Sequence, residues 1–291
     1  MNYGCQSMVG NIDTVLIKRP KDAFVNQDTL DENYEAYKYV GCPDFAKTVD
    51  EYAAFEKIIK DNVEHVHYLP YDERAGLDSI YTHDPLKITN RGAIYFPMGK
   101  ALRGTEHLAT KAYLEANGVP TLGHITAPGK MEGGDVLWID EDTVALGRGY
   151  RTNDEGIRQF KELTGDFIKE YIIVPMPHGE GEAACLHLMS IISFVDTDKA
   201  VVYSKYMPVF FREYLLSRGI RLIEVGDEEY DYLGSNLLAL KPGKCILIEG
   251  CPEIQEKLEN AGVEILTYEG KEVSYKGTGG PTCLTCPIKR L

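Results

Sequence analysis

No apolar run in this 291-residue chain approaches the roughly 20 residues that a membrane-spanning helix needs. The first residues, MNYGCQSMVGN, lack a basic segment followed by an apolar one, so no secretory signal is expected. Clustered Lys and Arg are also missing. The Lys18-Arg19-Pro20 step is too short to neutralise a run of phosphates, and a net charge of −14 disfavours nucleic acid as a partner. There are seven cysteines, an odd number at irregular spacing in a chain that is not small. That fits a reducing cytoplasm better than a disulfide framework. What remains is an ordinary globular balance, 44% hydrophobic and 26% charged, long enough for a substantial buried core. No low-complexity linker divides it, so residues 1–291 are expected to form one domain.

One pattern recurs roughly every 50 residues: an amphipathic helix, a short break often holding glycine, then a strand rich in Val, Ile and Leu. Its copies start near Glu51, Glu106, Ile157, Pro208 and Pro252. In the last, Ile254, Leu258 and Ala261 share one helical face. Gly262 then suits the left-handed position that ends a helix, and Gly118 and Gly219 hold the same place in two other copies. Further strand-like runs lie between the helices: TVLIKRP, GAIYFP, DVLWID, TVALG, AVVYS, NLLAL and KCILIEG. An ordinary α/β chain also repeats such units. A closed ring of five would gather the ends of its inner strands around one central cavity.

Several polar motifs could supply that cavity with chemistry. GTGGPTCLTCP (residues 277–287) lets backbone approach a ligand closely and makes Cys283 a candidate nucleophile. Cys283 and Cys286 also form C-x-x-C, which fits a redox pair, half of a zinc site or plain structural cysteines. In MEGGDVLWID, Glu132 and Asp135 flank a glycine pair before a strand; a carboxylate there can hold a cation, orient a histidine or simply cap a turn. His187 lies inside an apolar run, where burial favours its neutral form. DSIYTHDP carries Asp78 and Asp84 with His83 beside them. Arg103 and Arg151 each sit in a Gly-rich turn before a helix start, a place suited to binding carboxylates, and Thr152 or Asn153 reads as a helix cap.

Taken in order, these segments resemble the guanidino-group-modifying, or pentein, superfamily. Within it the chain is most similar to the dimethylarginine dimethylaminohydrolases. The resemblance runs from TVLIKRP through DSIYTHDP, RGTE, MEGGD, GYRTNDEG and CLHLMS to GGPTCLTCP. It implies an α/β fold, a five-bladed propeller of ββαβ units around a central active site. It implies Cys283 as nucleophile, His187 as acid and base, and Glu132 as the histidine's carboxylate partner. Asp84 would hold a guanidinium, Asp78 the substrate's α-amino group, and Arg103 and Arg151 its α-carboxylate. The implied reaction is hydrolysis at the guanidinium carbon of an arginine derivative, an N-methylated arginine giving citrulline and a methylamine through a thiouronium on Cys283. No metal or organic cofactor is implied, the ligand is a small guanidino compound, and a homodimer is the assembly to test for. Arginine deiminases, amidinotransferases and catalytically silent penteins are the neighbouring alternatives. Two positions depart from the patterns: Met189 stands where deiminases carry Asp, and His83 where the dimethylarginine enzymes carry an acid. The polar, Tyr-rich stretch 22–45 reads as a lid or a surface loop.

Overall fold

Fifteen strands, in five sheets of three, make up the computed structural model, which describes residues 1–182 and 184–291. The strands are β1 Ile12–Ile17, β2 His65–Tyr68, β3 Leu86–Thr89, β4 Gly92–Tyr95, β5 Thr121–His124, β6 Val136–Asp140, β7 Thr143–Arg148 and β8 Glu170–Pro175. The rest are β9 Ile192–Asp196, β10 Lys199–Val202, β11 Arg221–Glu224, β12 Leu238–Lys241, β13 Lys244–Ile248, β14 Glu264–Tyr268 and β15 Cys286–Arg290. Four sheets are built alike from consecutive strands: β3-β4-β5, β6-β7-β8, β9-β10-β11 and β12-β13-β14. In each, the first two strands pair antiparallel and the last returns parallel after a helix. The fifth sheet joins distant parts of the chain, because β15 pairs antiparallel with β1, which pairs parallel with β2.

The five amphipathic helices fall where the periodicity places them: α1 Phe45–Asn62, α2 Glu106–Ala116, α3 Asp154–Thr164, α4 Val209–Ser217 and α5 Pro252–Asn260. Each crosses between the parallel strands of its sheet, the connection such pairs require. The first begins six residues before the start read from sequence, at a cap in which Asp44 Oδ1 accepts from Lys47 N at 3.1 Å. Asn153 caps α3, its Oδ1 accepting from Gly156 N at 2.8 Å; such a cap is worth about 1 kcal/mol. Gly118, Gly219 and Gly262 end three helices with φ of +84°, +77° and +83°, as the pattern predicts. Middle strands are the most enclosed: Cys245, Ile246, Leu247 and Ile248 of β13 are fully buried, as expected of a strand covered on both faces.

The ring decides where function can sit. The free edges β3, β6, β9, β12 and β15, one per sheet, turn inward, and residues of all five line one central channel. β3, β9 and β15 are short strands that the sequence pattern did not single out. The segments leading into these inner strands hold the polar motifs.

Candidate functional site

Every residue with candidate chemistry lies just before an inner strand or in a loop crossing that end of the ring. Asp78, Tyr81 and Asp84 precede β3, His187 precedes β9 and Cys283 precedes β15. Lys100, Arg103 and Arg151 come from loops that follow middle strands. Together with Cys185 and the Gly277–Gly279 turn, these residues line one cleft. Six of the seven residues named from sequence line it; the seventh, Glu132, lies beneath, fully buried.

Glu132 is held by three donors. His187 Nε2 lies 2.6 Å from Oε2, Arg151 reaches both oxygens at 3.2 and 3.3 Å, and Gly99 N donates to Oε1 at 2.8 Å. Burial alone would raise the Glu132 pKa, but the His187 and Arg151 contacts hold it well below the carboxylate range. Burial alone would lower His187; the Cys185 thiol, 3.6 Å from Nδ1, the Glu132 carboxylate and Asp135 together lift it well above its ordinary value. The resting histidine is therefore an imidazolium, a proton donor. Its loop is pinned from below: His187 N donates to Ser190 Oγ at 3.0 Å and Leu188 N to Asp135 Oδ1 at 2.9 Å. Thr152 Oγ1 donates to the other oxygen of Asp135 at 2.6 Å.

The glycine pairs have a steric reason. A Cβ on Gly134 would stand 2.5 Å from His187 Nδ1, and one on Gly277 or Gly279 would collide with the Tyr81 ring. Backbone thus lies flush against the imidazole and the tyrosine. Gly134→Ala is expected to displace the imidazole and lower kcat by about 10²-fold. The overpacking itself should cost only about 1–3 kcal/mol of stability. Steady-state rates beside a thermal melt check this; a variant with wild-type kcat would remove the steric argument.

Cys283 is a free thiol that accepts from Asn236 Nδ2 at 3.3 Å. Burial, then the neighbouring Asp84 and Cys185, push its pKa up to about 12, against the opposing pull of Asn236 and His187. The pull of His187 does not outweigh burial, and the sulfur keeps its proton. Asp78 and Asp84 each carry one buried carboxylate oxygen, Oδ1, without a hydrogen-bond partner. Unpartnered buried acceptors of this kind call for a donor, and a guanidinium or ammonium supplies one.

Arg103 makes a different set of contacts from a carboxylate clamp. Nε donates to Glu106 Oε2 at 3.0 Å, Nη1 to Asp84 Oδ2 at 2.8 Å, and Nη2 to the carbonyls of Asp78 and Tyr81 at 3.2 and 3.3 Å. It is 3% exposed, so it organises the acids from within. Lys100 Nζ bonds Asp78 Oδ2 at 2.5 Å and the Tyr37 carbonyl at 2.6 Å, at the rim of the cleft. The 22–45 stretch follows on from a short helix, Pro20–Ala23, contributes another, Gln27–Asn33, and buries Tyr37 and Tyr39 beside the cleft.

Chain neighbours part company here. Asp84, Cys283 and His187 face the cleft, while His83, Thr282, Cys286 and Met189 face the central channel behind it. Both departures from the family patterns thus fall on the channel side, and the two sulfurs of C-x-x-C open onto different cavities. Lys100, Tyr81, Cys185 and Asn236 were not singled out from sequence. Asn236 could have been found, because Ser235-Asn236 leads into β12 as the other site residues lead into theirs.

Comparison with known proteins agrees with this architecture. A family model for arginine deiminase matches residues 77–210 and 204–290. Arginine deiminase of Mycobacterium avium (strain 104) is 30% identical over 194 residues, 57% of this chain and 47% of that protein. The chain thus matches about half the length of such deiminases. Dimethylarginine dimethylaminohydrolase from Pseudomonas aeruginosa, solved as a Cys-to-Ser variant with citrulline, superposes with a TM-score of 0.75 at 22% identity, covering 95% of this chain and 99% of that one. A saxitoxin-pathway amidinotransferase from Microseira wollei superposes with a TM-score of 0.81 at 14% identity, covering 99% and 97%. The fold is the five-bladed pentein propeller.

Proposed function

Because the chain belongs to the arginine deiminase family and has the pentein fold, we propose that it is a hydrolase acting at the guanidinium carbon of an N-methylated arginine, releasing citrulline and a methylamine. One observation carries this reading. A thiol, an imidazolium backed by a buried carboxylate, and two acids with unpartnered oxygens meet at one cleft.

The chemistry follows from the charges. A guanidinium is a planar cation and a poor electrophile. Asp84 Oδ1 receives its N–H groups, and Asp78, with Lys100 beside it, receives the α-ammonium. Arg151 and Lys100, both on the cleft wall, meet the α-carboxylate, while Arg103 keeps Asp84 oriented. The bound cation offsets the Asp84 charge that opposes thiolate formation, so Cys283 gives up its proton to solvent when substrate is present. The thiolate adds to the guanidinium carbon. His187 protonates the departing amine, the C–N bond breaks, and a thiouronium remains on Cys283. Neutral His187 then takes one proton from an attacking water. As the C–S bond breaks, the second water proton returns to the sulfur and citrulline is released. Acid and base help of this kind is worth about 10²- to 10⁴-fold.

Mass spectrometry of reactions with arginine, monomethylarginine and asymmetric dimethylarginine, with and without glycine or lysine, tests the reading. Citrulline plus a methylamine is expected. Citrulline plus ammonia from arginine alone would make the protein a deiminase. Ornithine plus a new guanidino compound would make it a transferase. No turnover and no mass adduct on Cys283 would overturn the arginine-derivative substrate. A guanidinium ligand is also expected to accelerate iodoacetamide labelling of Cys283 at pH 8, since it lowers a thiol pKa that otherwise stands near 12.

A further inference from the structure

Behind the cleft, a narrow central channel runs between the five inner strands. Its wall is unbalanced in charge. Lys87 on β3 and Arg290 on β15 both line it, and no Asp or Glu does. Neither cation is in an ion pair among the described residues. Lys87 Nζ meets only the neutral ring of His83, 3.3 Å from Nε2, and Arg290 Nη1 donates to the carbonyls of Gly10 and Ala239. Lys87 is 7% exposed, and buried lysines are almost always paired. Burial pulls its pKa down to about 8, so near neutral pH it still carries charge in a place that penalises charge. The third feature is independent of these two. Trp138 on β6 lines the same channel, is 1% exposed, and its Nε1 has no hydrogen-bond partner. Two cations and an orphaned N–H all ask for an acceptor. The rest of the wall is mostly apolar, which disfavours a strongly hydrated dianion.

We propose that the channel binds a short-chain monocarboxylate, its carboxylate drawn to Lys87, Arg290 and Trp138 Nε1 and its tail lying against Met8, Phe194 and Leu238. Met8 and Arg290 are part-exposed and mark the mouth of the channel. Occupancy is felt in the cleft through His83. That residue touches Lys87, accepts no cleft contact of its own, donates its backbone N–H to the Cys283 carbonyl at 3.3 Å, and directly precedes Asp84. An anion that draws Lys87 away from His83 changes what holds the nucleophile's loop. The site is a place for regulation by a small acid and does not depend on which guanidino substrate the cleft takes.

Trp138 is the only tryptophan of the chain, so its fluorescence reports the channel directly and without turnover. Sodium butyrate titrated at constant ionic strength is expected to give a saturable change, in the millimolar range suited to so small a ligand. Butan-1-ol and sodium chloride are the controls. Lys87→Met should weaken butyrate at least about tenfold. Arg290→Met, at the part-exposed mouth, is the second variant should the first fail to fold. No saturable change, an equal response to butanol or chloride, or wild-type affinity in both variants would overturn the site. For the coupling, butyrate is expected to change the labelling rate of Cys283, read by peptide mass, at least about twofold; an unchanged rate with the channel saturated would overturn the link to the cleft.

Discussion

Cys283→Ser is expected to lower turnover of any guanidino substrate by about 10⁴-fold or more, with no covalent intermediate detectable by intact mass. The size of the effect follows from the sulfur's place. Cys283 lines the cleft with Asp84 and His187 and is held by Asn236 Nδ2. A serine hydroxyl there is a far weaker acid than a thiol, and the burial that pushes the thiol to about 12 would suppress alkoxide still further. Folding should be little affected, because the substitution removes no ion pair. Cys185→Ser is the necessary comparison, since Cys185 lines the same cleft and touches His187 Nδ1. Initial rates of the two variants separate the thiols. If Cys283→Ser keeps more than a few per cent of activity while Cys185→Ser loses it, the nucleophile has been misassigned.

The second large effect belongs to Glu132→Gln, and it appears in two readouts. The amide keeps the shape but leaves His187 and Arg151 facing a neutral group in a fully buried place. Breaking one side of such a buried network typically costs about 3–5 kcal/mol. Loss of a correctly charged histidine should lower kcat by about 10²- to 10⁴-fold. The pH dependence gives a sharper test. His187 is raised in the fold, so its share of stability is complete below its ordinary value and is lost as pH rises through the folded one. Glu132 is lowered, so its share is present above its ordinary value and is lost as pH falls through the folded one. The gap in Tm between wild type and Glu132→Gln should therefore be widest between about pH 4.3 and 6.5, the two ordinary values, and narrow on both sides. A gap that does not vary from pH 4 to 9 would mean that the pair is not ionised.

The sequence carried the periodic parts of this molecule well. Helices at Glu106 and Pro252 announce themselves through an apolar face and a glycine stop, and both cues are local. β3, β9 and β15 were harder to see: β3 and β9 are short inner edges that run straight on from polar motifs, and β15 finds its partner β1 at the far end of the chain. Cys283, His187 and Glu132 were legible through motifs that brought a family pattern with them. Arg103 does line the cleft, but the Gly-rich turn gave no sign that packing would also surround it with Asp84 and Glu106. Which of two adjacent side chains meets the cleft could not be read at all. His83 and Asp84 differ by one position and face separate cavities, a consequence of strand ends that pass between two open spaces.

The pairing of β15 with β1 makes the first blade a splice of two chain regions that meet only after the other four have been laid down in sequence. Contacts of such long separation form late and carry a large loop-closure cost. Cys283 sits on the segment that delivers β15, three residues before the strand begins. Assembly of a competent centre therefore waits for the splice, and a partly folded chain, whatever else it has buried, holds its sulfur away from the imidazole. The same dependence holds in reverse. Fraying of Cys286–Arg290 would withdraw Cys283 without unfolding the remaining blades, so amide exchange in β15 should track the slow loss of activity on warming more closely than exchange in β7 or β13.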